Sequence, residues 1–330
     1  MLMTEAELEP LQARAKSLLD GLDRIILGQQ ALTRLVVVGL LAGGHVLLEG
    51  LPGLGKTELV KALAALSGLD HNRIQFTPDL MPGDITGTTI LQEQNGGGRQ
   101  LMFRPGPIFA QIVLADEINR ASPKTQSALL QAMQEHCVTV LDTTHTLPAP
   151  FFVLATQNPI ELDGTYPLPE AQLDRFTIKA SVTGVSAETL TSILMQRPDG
   201  RPPIPAAITD PEGLRALLAA VKRIALPEAV AKYIARLIDA TRPEQPHATS
   251  LVKQTLRWGA SPRAAIALAG CARASAFLAG RPAVGFADVK AFAVPVIAHR
   301  LVLSYEAGLS GTTAANVINE IVLQIPELSA

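Results

Sequence analysis

Residues 50–57 place three glycines, a lysine and a threonine at a spacing that suits phosphate binding. The segment reads Gly-Leu-Pro-Gly-Leu-Gly-Lys-Thr, which fits the pattern of a glycine, four residues and then Gly-Lys-Thr. Glycines let successive backbone N–H groups turn toward a phosphate, and the N-terminus of a following helix adds the positive end of its dipole. We therefore expect Lys56 to reach the terminal phosphates of ATP and Thr57 to offer its hydroxyl to Mg²⁺. The expected nucleotide contacts are Gly50, Gly53, Leu54, Gly55, Lys56, Thr57 and Glu58.

Two acids directly follow the apolar run at residues 112–115. This arrangement is typical of the second nucleotide motif, in which carboxylates at a strand end support phosphoryl transfer. We expect Asp116 to hold the hydration shell of Mg²⁺, and Glu117 to orient or deprotonate the attacking water. Acids at strand ends are commonly only solvated residues, so this interpretation depends on the phosphate loop.

A second apolar run, residues 151–155, leads into Thr-Gln-Asn. If this run is a strand next to the other two motifs, Asn158 is placed to touch the γ-phosphate or the attacking water. Because Asn158 precedes Pro159, the alternative is that it serves only the chemistry of a turn.

The elements that would position these residues alternate between strands and helices. Short apolar or β-rich runs occur at residues 45–49, 74–77, 112–115, 151–156 and 176–180. Five strands alternating with helices predict an α/β fold with a five-stranded parallel sheet sandwiched between helices. Two segments interrupt the alternation, residues 83–103 with a glycine-rich turn at 95–98 and residues 137–147. Both predict β-hairpin inserts, although surface excursions are the alternative.

The second part of the chain has a helical pattern. A seam lies between residues 181 and 211, and we divide the chain into a nucleotide-binding domain, 1–181, and a helical lid domain, 182–330. Thr209 with Glu212 predicts a capping box, and Ser261 with Pro262 predicts another helix start. Trp258 is interpreted as a packing residue near the lid.

Composition excludes several classes of protein. Hydrophobic residues make up 48% of the chain and charged residues 18%, so we expect the whole chain to fold. The formal net charge of −2 divides into −7 for residues 1–200 (14 basic, 21 acidic) and +5 for residues 201–330 (14 basic, 9 acidic). Neither value is the basic footprint of a nucleic-acid-binding protein.

The cysteines and the apolar runs exclude further classes of protein. Cys137 and Cys271 lack metal-ligand spacing, which argues against a disulfide framework or a structural zinc site. The first residues of the chain are acidic, and no uncharged apolar run approaches ~18 residues in length. These two features predict a cytoplasmic protein without membrane insertion.

Beyond single motifs, the chain resembles the AAA+ ATPases and, within them, the MoxR family. The resemblance is carried by Asp-Glu-Ile-Asn-Arg-Ala at 116–121, Ala-Thr-Gln-Asn-Pro at 155–159, Tyr-Pro-Leu-Pro-Glu-Ala-Gln-Leu-Asp-Arg-Phe at 166–176 and Gly-Ala-Ser-Pro-Arg at 259–263. It covers about residues 28–307. The two hairpins resemble the helix-2 insert and the hairpin before sensor 1, which mark the AAA+ branch that also contains magnesium-chelatase subunits and minichromosome-maintenance helicases.

The resemblance implies roles for further residues. Asn158 matches sensor 1, Arg175 matches the arginine finger that acts on a neighbouring subunit's ATP, and Arg263 matches sensor 2 in the lid. Leu27 and Gly28 match the segment against adenine. Arg120 follows the acids. It either faces the neighbouring subunit or forms a structural salt bridge.

The resemblance also implies a working assembly. Its members form rings, usually hexamers, that remodel or activate a partner protein, often one with a von Willebrand factor A domain. The alternative is the ATPase motor subunit of a metal chelatase. A nucleic-acid translocase is disfavoured by the charge balance.

Overall fold

The computed structural model describes residues 5–50, 55–93, 99–159, 164–197, 202–203, 205–246 and 248–328. Within these ranges the helices are, in chain order, α1 (Glu5–Ile25), α2 (Gln30–Leu41), α3 (Lys56–Ser67), α4 (Pro82–Thr86), α5 (Pro123–Glu135), α6 (Glu170–Leu173), α7 (Ala187–Gln196), α8 (Pro211–Arg223), α9 (Glu228–Ala240), α10 (Ser250–Thr255), α11 (Pro262–Leu278), α12 (Phe286–Ile297), α13 (Tyr305–Leu309) and α14 (Ala314–Gln324). The strands are β1 (Val46–Glu49), β2 (His71–Gln75), β3 (Gly87–Glu93), β4 (Arg99–Pro105), β5 (Ile112–Asp116), β6 (Cys137–Val140), β7 (Thr143–Thr146), β8 (Phe152–Gln157), β9 (Ile178–Ser181), β10 (Leu256–Trp258) and β11 (Val302–Leu303).

The predicted five-stranded parallel sheet is confirmed, with the strand order β2-β5-β8-β1-β9. Alternate side chains of each strand point to opposite faces, and both faces are buried. Val46, Leu114 and Leu154 share a core with α1, α2, α3 and the lid helices. Leu47 and Val153, on the other face, pack with side chains of α5. Helices therefore cover the sheet on both sides.

The edge strand β2 begins three residues earlier than the apolar pattern predicted. His71, Asn72 and Arg73 are exposed, and within the strand only Ile74 is buried. Because an edge strand of this kind needs few apolar residues, hydrophobicity alone gave no sign of where it starts.

The two predicted hairpins are present as antiparallel pairs. In β3 and β4 the register runs from Gly87 opposite Pro105 to Glu93 opposite Arg99; the predicted glycine-rich tip falls in residues 94–98, outside the described ranges. Ile85 and Thr86 were expected to be extended, but they belong to α4, which starts at a proline and uses the Asp84 carboxylate as a cap.

The second hairpin closes on a tight two-residue turn. Leu141 and Asp142 lie between β6 and β7, and both have positive φ angles, 45° and 62°, as a two-residue loop with the twist of the flanking strands requires. The ring of His145 in β7 stacks on Phe103 of β4 with centroids 3.8 Å apart. This stacking joins the two hairpins.

The lid is mainly helical and also contains the short antiparallel pair β10–β11. The expected capping box of Thr209 and Glu212 is wrong by one residue. Asp210 caps α8 by accepting a hydrogen bond from the Gly213 N–H at 2.7 Å, because Pro211 occupies the first helical position. Ser261 caps α11 as predicted.

One residue of the lid contradicts its interpretation as a packing residue. The side chain of Trp258, on β10, is 62% exposed. Of the three residues of this strand only Leu256 is buried, so the strand presents both Arg257 and Trp258 at the surface.

A continuous core joins the lid to the rest of the chain. Leu18 and Leu22 of α1 lie in the same buried cluster as Phe277 and Val289 of the lid, and α1 packs against α3 as well as α8 and α11. The N-terminal helix thus bridges both parts. None of the helices in the described ranges is long and apolar enough to cross a bilayer.

The two cysteines lie in different surroundings. Cys271 is fully buried on α11, and this burial raises the pKa of its thiol to about 12. Cys137, the first residue of β6, is partly exposed.

Asp288 stabilises the lid through a buried, multiply bonded carboxylate. Its side chain is 4% exposed, and it accepts hydrogen bonds of 2.6–2.9 Å from Arg281, the Gly285 N–H and the Ser275 hydroxyl. Burial acts to raise the pKa of Asp288, but the hydrogen bonds outweigh it and hold the pKa below its usual range.

We predict that Asp288→Asn lowers the free energy of unfolding by about 1.5–3 kcal/mol at neutral pH. A lowered carboxylate pKa stabilises the fold above the pKa of the unfolded chain, and this contribution is lost as pH falls through the folded pKa. The difference between the two proteins in urea titrations should therefore shrink below about pH 4.

The control is Glu228→Gln, which breaks an exposed pair with Lys232 and should cost less than about 1 kcal/mol. Equal losses in the two variants, or a pH-independent difference for Asp288→Asn, would contradict the role given to Asp288.

Candidate functional site

The carboxyl end of β1 leads into the predicted phosphate loop. The Gly50 N–H donates to the Gln157 carbonyl at 3.2 Å, and a Cβ at Gly50 would lie 2.7 Å from the Val182 carbonyl oxygen, so no side chain fits there. Gly55, the N-cap of α3, has a φ of 77°, a conformation that favours glycine. Residues 51–54, including Gly53 and Leu54, lie outside the described ranges.

Lys56 is the first residue of α3 and folds back onto the loop. Its ammonium donates to the Gly50 carbonyl at 2.5 Å. Burial lowers the pKa of Lys56, while the carboxylates of Asp116 and Glu117 act to raise it. The lysine therefore shares one electrostatic environment with the two predicted acids.

A cavity of about 340 Å³ brings half of the predicted site residues together. Its wall is formed by the helix start and by the carboxyl ends of β2, β5 and β8, and the lining residues are Gly55, Lys56, Thr57, Glu58, Arg73, Gln75, Asp116, Glu117 and Asn158. Carboxyl ends of parallel strands are the usual place for a ligand in an α/β sheet.

The two acids are held in different ways at the end of β5. The Thr156 hydroxyl donates to Asp116 Oδ1 at 2.6 Å and accepts from the Glu117 N–H at 2.8 Å. Glu117 has φ 57° and ψ 50°, a left-handed conformation that is uncommon for glutamate and concentrates at functional sites. Thr156 thus fixes the backbone turn that carries Glu117 off the strand.

Sequence reasoning missed two residues of the cavity, Arg73 and Gln75. Arg73 pairs with Asp116 Oδ2 through Nη2 at 2.6 Å. Gln75 donates to Glu117 Oε2 at 2.9 Å. The available signal was a pair of polar residues at positions i and i+2, which lie on the same face of a strand. This signal has meaning only once β2 is known to lie beside β5.

Asn158 and Arg120 lie close to the acids. Asn158 is buried, and its backbone carbonyl accepts a hydrogen bond from the side-chain amide of Asn119 at 3.4 Å. Arg120 forms a salt bridge with Glu117 at 3.0 Å. Of the two roles considered for Arg120, this contact is the structural salt bridge. Glu58, also in the cavity, pairs with Lys61 at 3.0 Å.

The segment expected against adenine packs beside α7. Gly28 has a φ of 72°, and a Cβ there would lie 2.6 Å from Thr189. Gln29 donates to the Thr183 carbonyl at 2.8 Å. Leu27 and Gly28 do not line the cavity of Lys56.

Arg175 and Arg263 lie in a second cavity, of about 440 Å³, which shares no lining residue with the first. Its wall includes Gly43 and Gly44, which precede β1, and Thr177, which precedes β9. It therefore opens at the amino-terminal edge of the sheet. The Nε atom of Arg175 is buried and has no hydrogen-bond partner in the part of the chain that the structure describes.

Asp174 connects this cavity to the lid. Its carboxylate accepts from Arg300 Nε at 2.8 Å and from the Ser261 hydroxyl at 3.1 Å, and it lies 3.9 Å from Arg263 Nη1. The Arg300 side chain is 3% exposed and also donates to the Phe176 carbonyl at 2.6 Å. The lid and the segment before β9 are thus fixed to each other.

His299 lies beside this connection. Its Nε2 is 3.0 Å from the Phe176 carbonyl oxygen, and burial lowers the pKa of its imidazole to about 3. It is a neutral core residue.

Comparisons with known proteins agree with this architecture. Residues 45–178 match the ATPase family associated with various cellular activities (AAA), and residues 248–321 match the AAA lid domain. The crystal structure of a candidate ATPase from Cytophaga hutchinsonii is 37% identical, with a TM-score of 0.91, covering 99% of this chain and 98% of that one.

Three curated relatives extend over nearly the whole chain. Chaperone MoxR1 of Mycobacterium tuberculosis is 42% identical over 93% of this chain and 81% of its own length. Uncharacterized protein YeaC of Bacillus subtilis is 41% identical over 96% and 95%, and Protein MoxR of Paracoccus denitrificans is 32% identical over 91% and 92%. With this fold, these identities and this coverage, the chain belongs to the MoxR family of AAA+ ATPases.

Proposed function

We propose that this ATPase binds Mg²⁺-ATP in the cavity of Lys56 and hydrolyses it there. The observation that carries the proposal is that Lys56, Asp116, Glu117 and Asn158 line one cavity at the carboxyl edge of a parallel sheet. The lysine supplies a cation for the terminal phosphates, the helix start supplies backbone N–H groups, and the carboxylates supply a metal ligand and a base.

The residues present fit a magnesium ion. Mg²⁺ prefers oxygen ligands and is usually bound by one or two protein groups together with substrate phosphates. Asp116 and Thr57 offer a carboxylate and a hydroxyl in the same cavity. Among the described residues, no group of three or more His, Cys, Asp or Glu side chains could hold a metal ion by itself.

Glu117 is proposed to activate the attacking water. Its carboxylate accepts hydrogen bonds from Gln75 and Arg120, and these contacts hold it near the carboxyl end of β5. Release from them would free the carboxylate oxygen to accept a proton from water as the water attacks the γ-phosphate in line. Asn158 is proposed to position the same water or the phosphate.

Arg175 and Arg263 are proposed to act on the nucleotide of a neighbouring copy. They lie at the opposite edge of the sheet from Lys56, and the strands between the edges have four to six residues, about 13–20 Å. A guanidinium carries a permanent charge in a fork that suits phosphate oxygens, and the Nε atom of Arg175 lacks a partner in the described residues. Each site is therefore completed by a second chain.

A head-to-tail arrangement of this kind forms a ring when the rotation between neighbouring chains closes. We propose a hexameric ring that remodels or activates a partner protein, with a von Willebrand factor A domain protein as the candidate partner. Support comes from the relative named a chaperone and from the first hairpin, whose strands expose Ile90, Leu91, Leu101 and Met102. Membership of the MoxR family favours this role over that of a chelatase motor.

We predict that Lys56→Ala abolishes nucleotide binding, because the loop loses its side-chain cation. Equilibrium titration with a fluorescent ATP analogue measures this loss. Lys61→Ala is the matched control, since Lys61 lies on the same helix outside the cavity. Wild-type affinity in Lys56→Ala would contradict the assignment.

We predict that Glu117→Gln binds ATP with near-normal affinity but hydrolyses it about 10²–10⁴ times more slowly. The amide keeps the shape of the side chain and loses its basicity. Binding titrations and phosphate release on the same protein separate the two effects. A variant that cannot bind ATP would show instead that Glu117 has a structural role.

We predict that inactive Lys56→Ala and inactive Arg175→Ala chains regain activity when mixed. Loss of an arginine finger costs roughly 10³-fold or more in rate, yet a mixed assembly contains interfaces that pair an intact loop with an intact Arg175. Arg263→Ala should complement Lys56→Ala in the same way, because Arg263 shares the cavity of Arg175. Failure to recover despite co-assembly, measured by light scattering of the mixture, would exclude action between chains.

A further inference from the structure

Both oxygens of the Asp116 carboxylate are engaged by protein donors. Oδ1 accepts from the Thr156 hydroxyl at 2.6 Å. Oδ2 accepts from Arg73 through Nη2 at 2.6 Å and Nε at 3.1 Å. The carboxylate thus already has a cationic partner, supplied by the edge strand β2.

This partner lines the cavity whose residues would hold the metal ion. Arg73, Asp116 and Thr57 line the same cavity, and Asp116 with Thr57 is the oxygen pair that suits Mg²⁺. A guanidinium and a divalent cation repel each other, and both need the same carboxylate oxygens.

We propose that Arg73 competes with Mg²⁺ for Asp116, so that Arg73 must swing away before the metal-nucleotide complex can bind fully. Arg73 is thus a positioning residue that sets the Mg²⁺ dependence of nucleotide binding. This inference rests on the proposed role of Asp116 as the group that holds the metal.

The surroundings of Arg73 allow it to leave. Its side chain is 51% exposed, against 15% for Asp116. Because β2 is an edge strand of the sheet, the guanidinium can move into solvent. Ion pairs with an exposed partner are weak. The pair therefore restrains Asp116 without blocking the site permanently.

Departure of Arg73 also changes the neighbouring acid. Arg73 Nη2 donates to Gln75 Oε1 at 2.6 Å, and Gln75 Nε2 donates to Glu117 Oε2 at 2.9 Å. A single chain of hydrogen bonds joins the arginine to both carboxylates. When Arg73 leaves Asp116, Gln75 loses the contact that fixes its amide toward Glu117.

The test is the affinity for a fluorescent ADP analogue, measured with Mg²⁺ and with EDTA, in the full chain and in Arg73→Gln. We expect Arg73→Gln to bind the analogue about two- to fivefold more tightly with Mg²⁺, the loss of one competing ion pair, and no more tightly in EDTA. Arg73→Lys, which keeps the charge without the fork, should fall between Arg73→Gln and wild type. Thermal melting of each variant verifies that it is folded.

Two controls isolate the competition. Lys61→Gln also removes an exposed, ion-paired cation from this region, but Lys61 pairs with Glu58 rather than Asp116; it should not tighten binding with Mg²⁺. In an Asp116→Asn background the effect of Arg73→Gln should vanish, because the two changes act on one interaction.

Weaker or unchanged binding of Arg73→Gln with Mg²⁺, or equal tightening with Mg²⁺ and EDTA, would overturn the proposal. Asp116→Asn alone distinguishes the two levels of the argument. If it removes the Mg²⁺ dependence while Arg73→Gln changes nothing, only the competition is wrong. If it keeps the full Mg²⁺ dependence, Asp116 does not hold the metal, and the proposed site and the competition fail together.

Discussion

The common direction of the five sheet strands determines at which edge of the sheet each proposed functional residue lies. Parallel strands gather their carboxyl ends at one edge, and that edge carries Lys56, Asp116, Glu117 and Asn158. The segment with Arg175 enters the sheet from the other edge, before β9 begins. Reversing any strand would require a different connection, because parallel neighbours need crossovers. The separation between the proposed nucleotide site and Arg175 is therefore a property of the topology.

The buried contact between Arg300 and Asp174 fixes the lid against the segment that precedes β9. Arg300 lies just after α12, and it binds both the Asp174 carboxylate and the Phe176 carbonyl. Ser261, which caps the helix that carries Arg263, binds the same carboxylate. A rotation of the lid against the sheet would break these bonds and leave a charge buried, which is costly. These contacts therefore hold the segment that carries Arg175 and the helix that carries Arg263 against each other.

Local sequence patterns predicted the parts that depend on local chemistry. The phosphate loop, the apolar runs of β1, β5 and β8 and the acids after β5 all follow from neighbouring residues, and the structure brings Lys56, Asp116 and Asn158 into one cavity. Arg73 and Gln75 were missed because their role depends on which strand lies beside β5. The exposure of Trp258 likewise reflects the position of a short strand in the lid, which hydrophobicity cannot specify.

The contrast between the two cysteines has a practical consequence for following this molecule at work. The thiol of Cys271 is sealed in the core with a pKa of about 12, so it supplies almost no thiolate, the form that reacts with alkylating reagents. Cys137 is partly exposed at the base of the second hairpin. A maleimide dye added to the native chain will therefore attach at one position. That dye would report on the hairpin pair, through the stacked rings of His145 and Phe103, without any engineered cysteine.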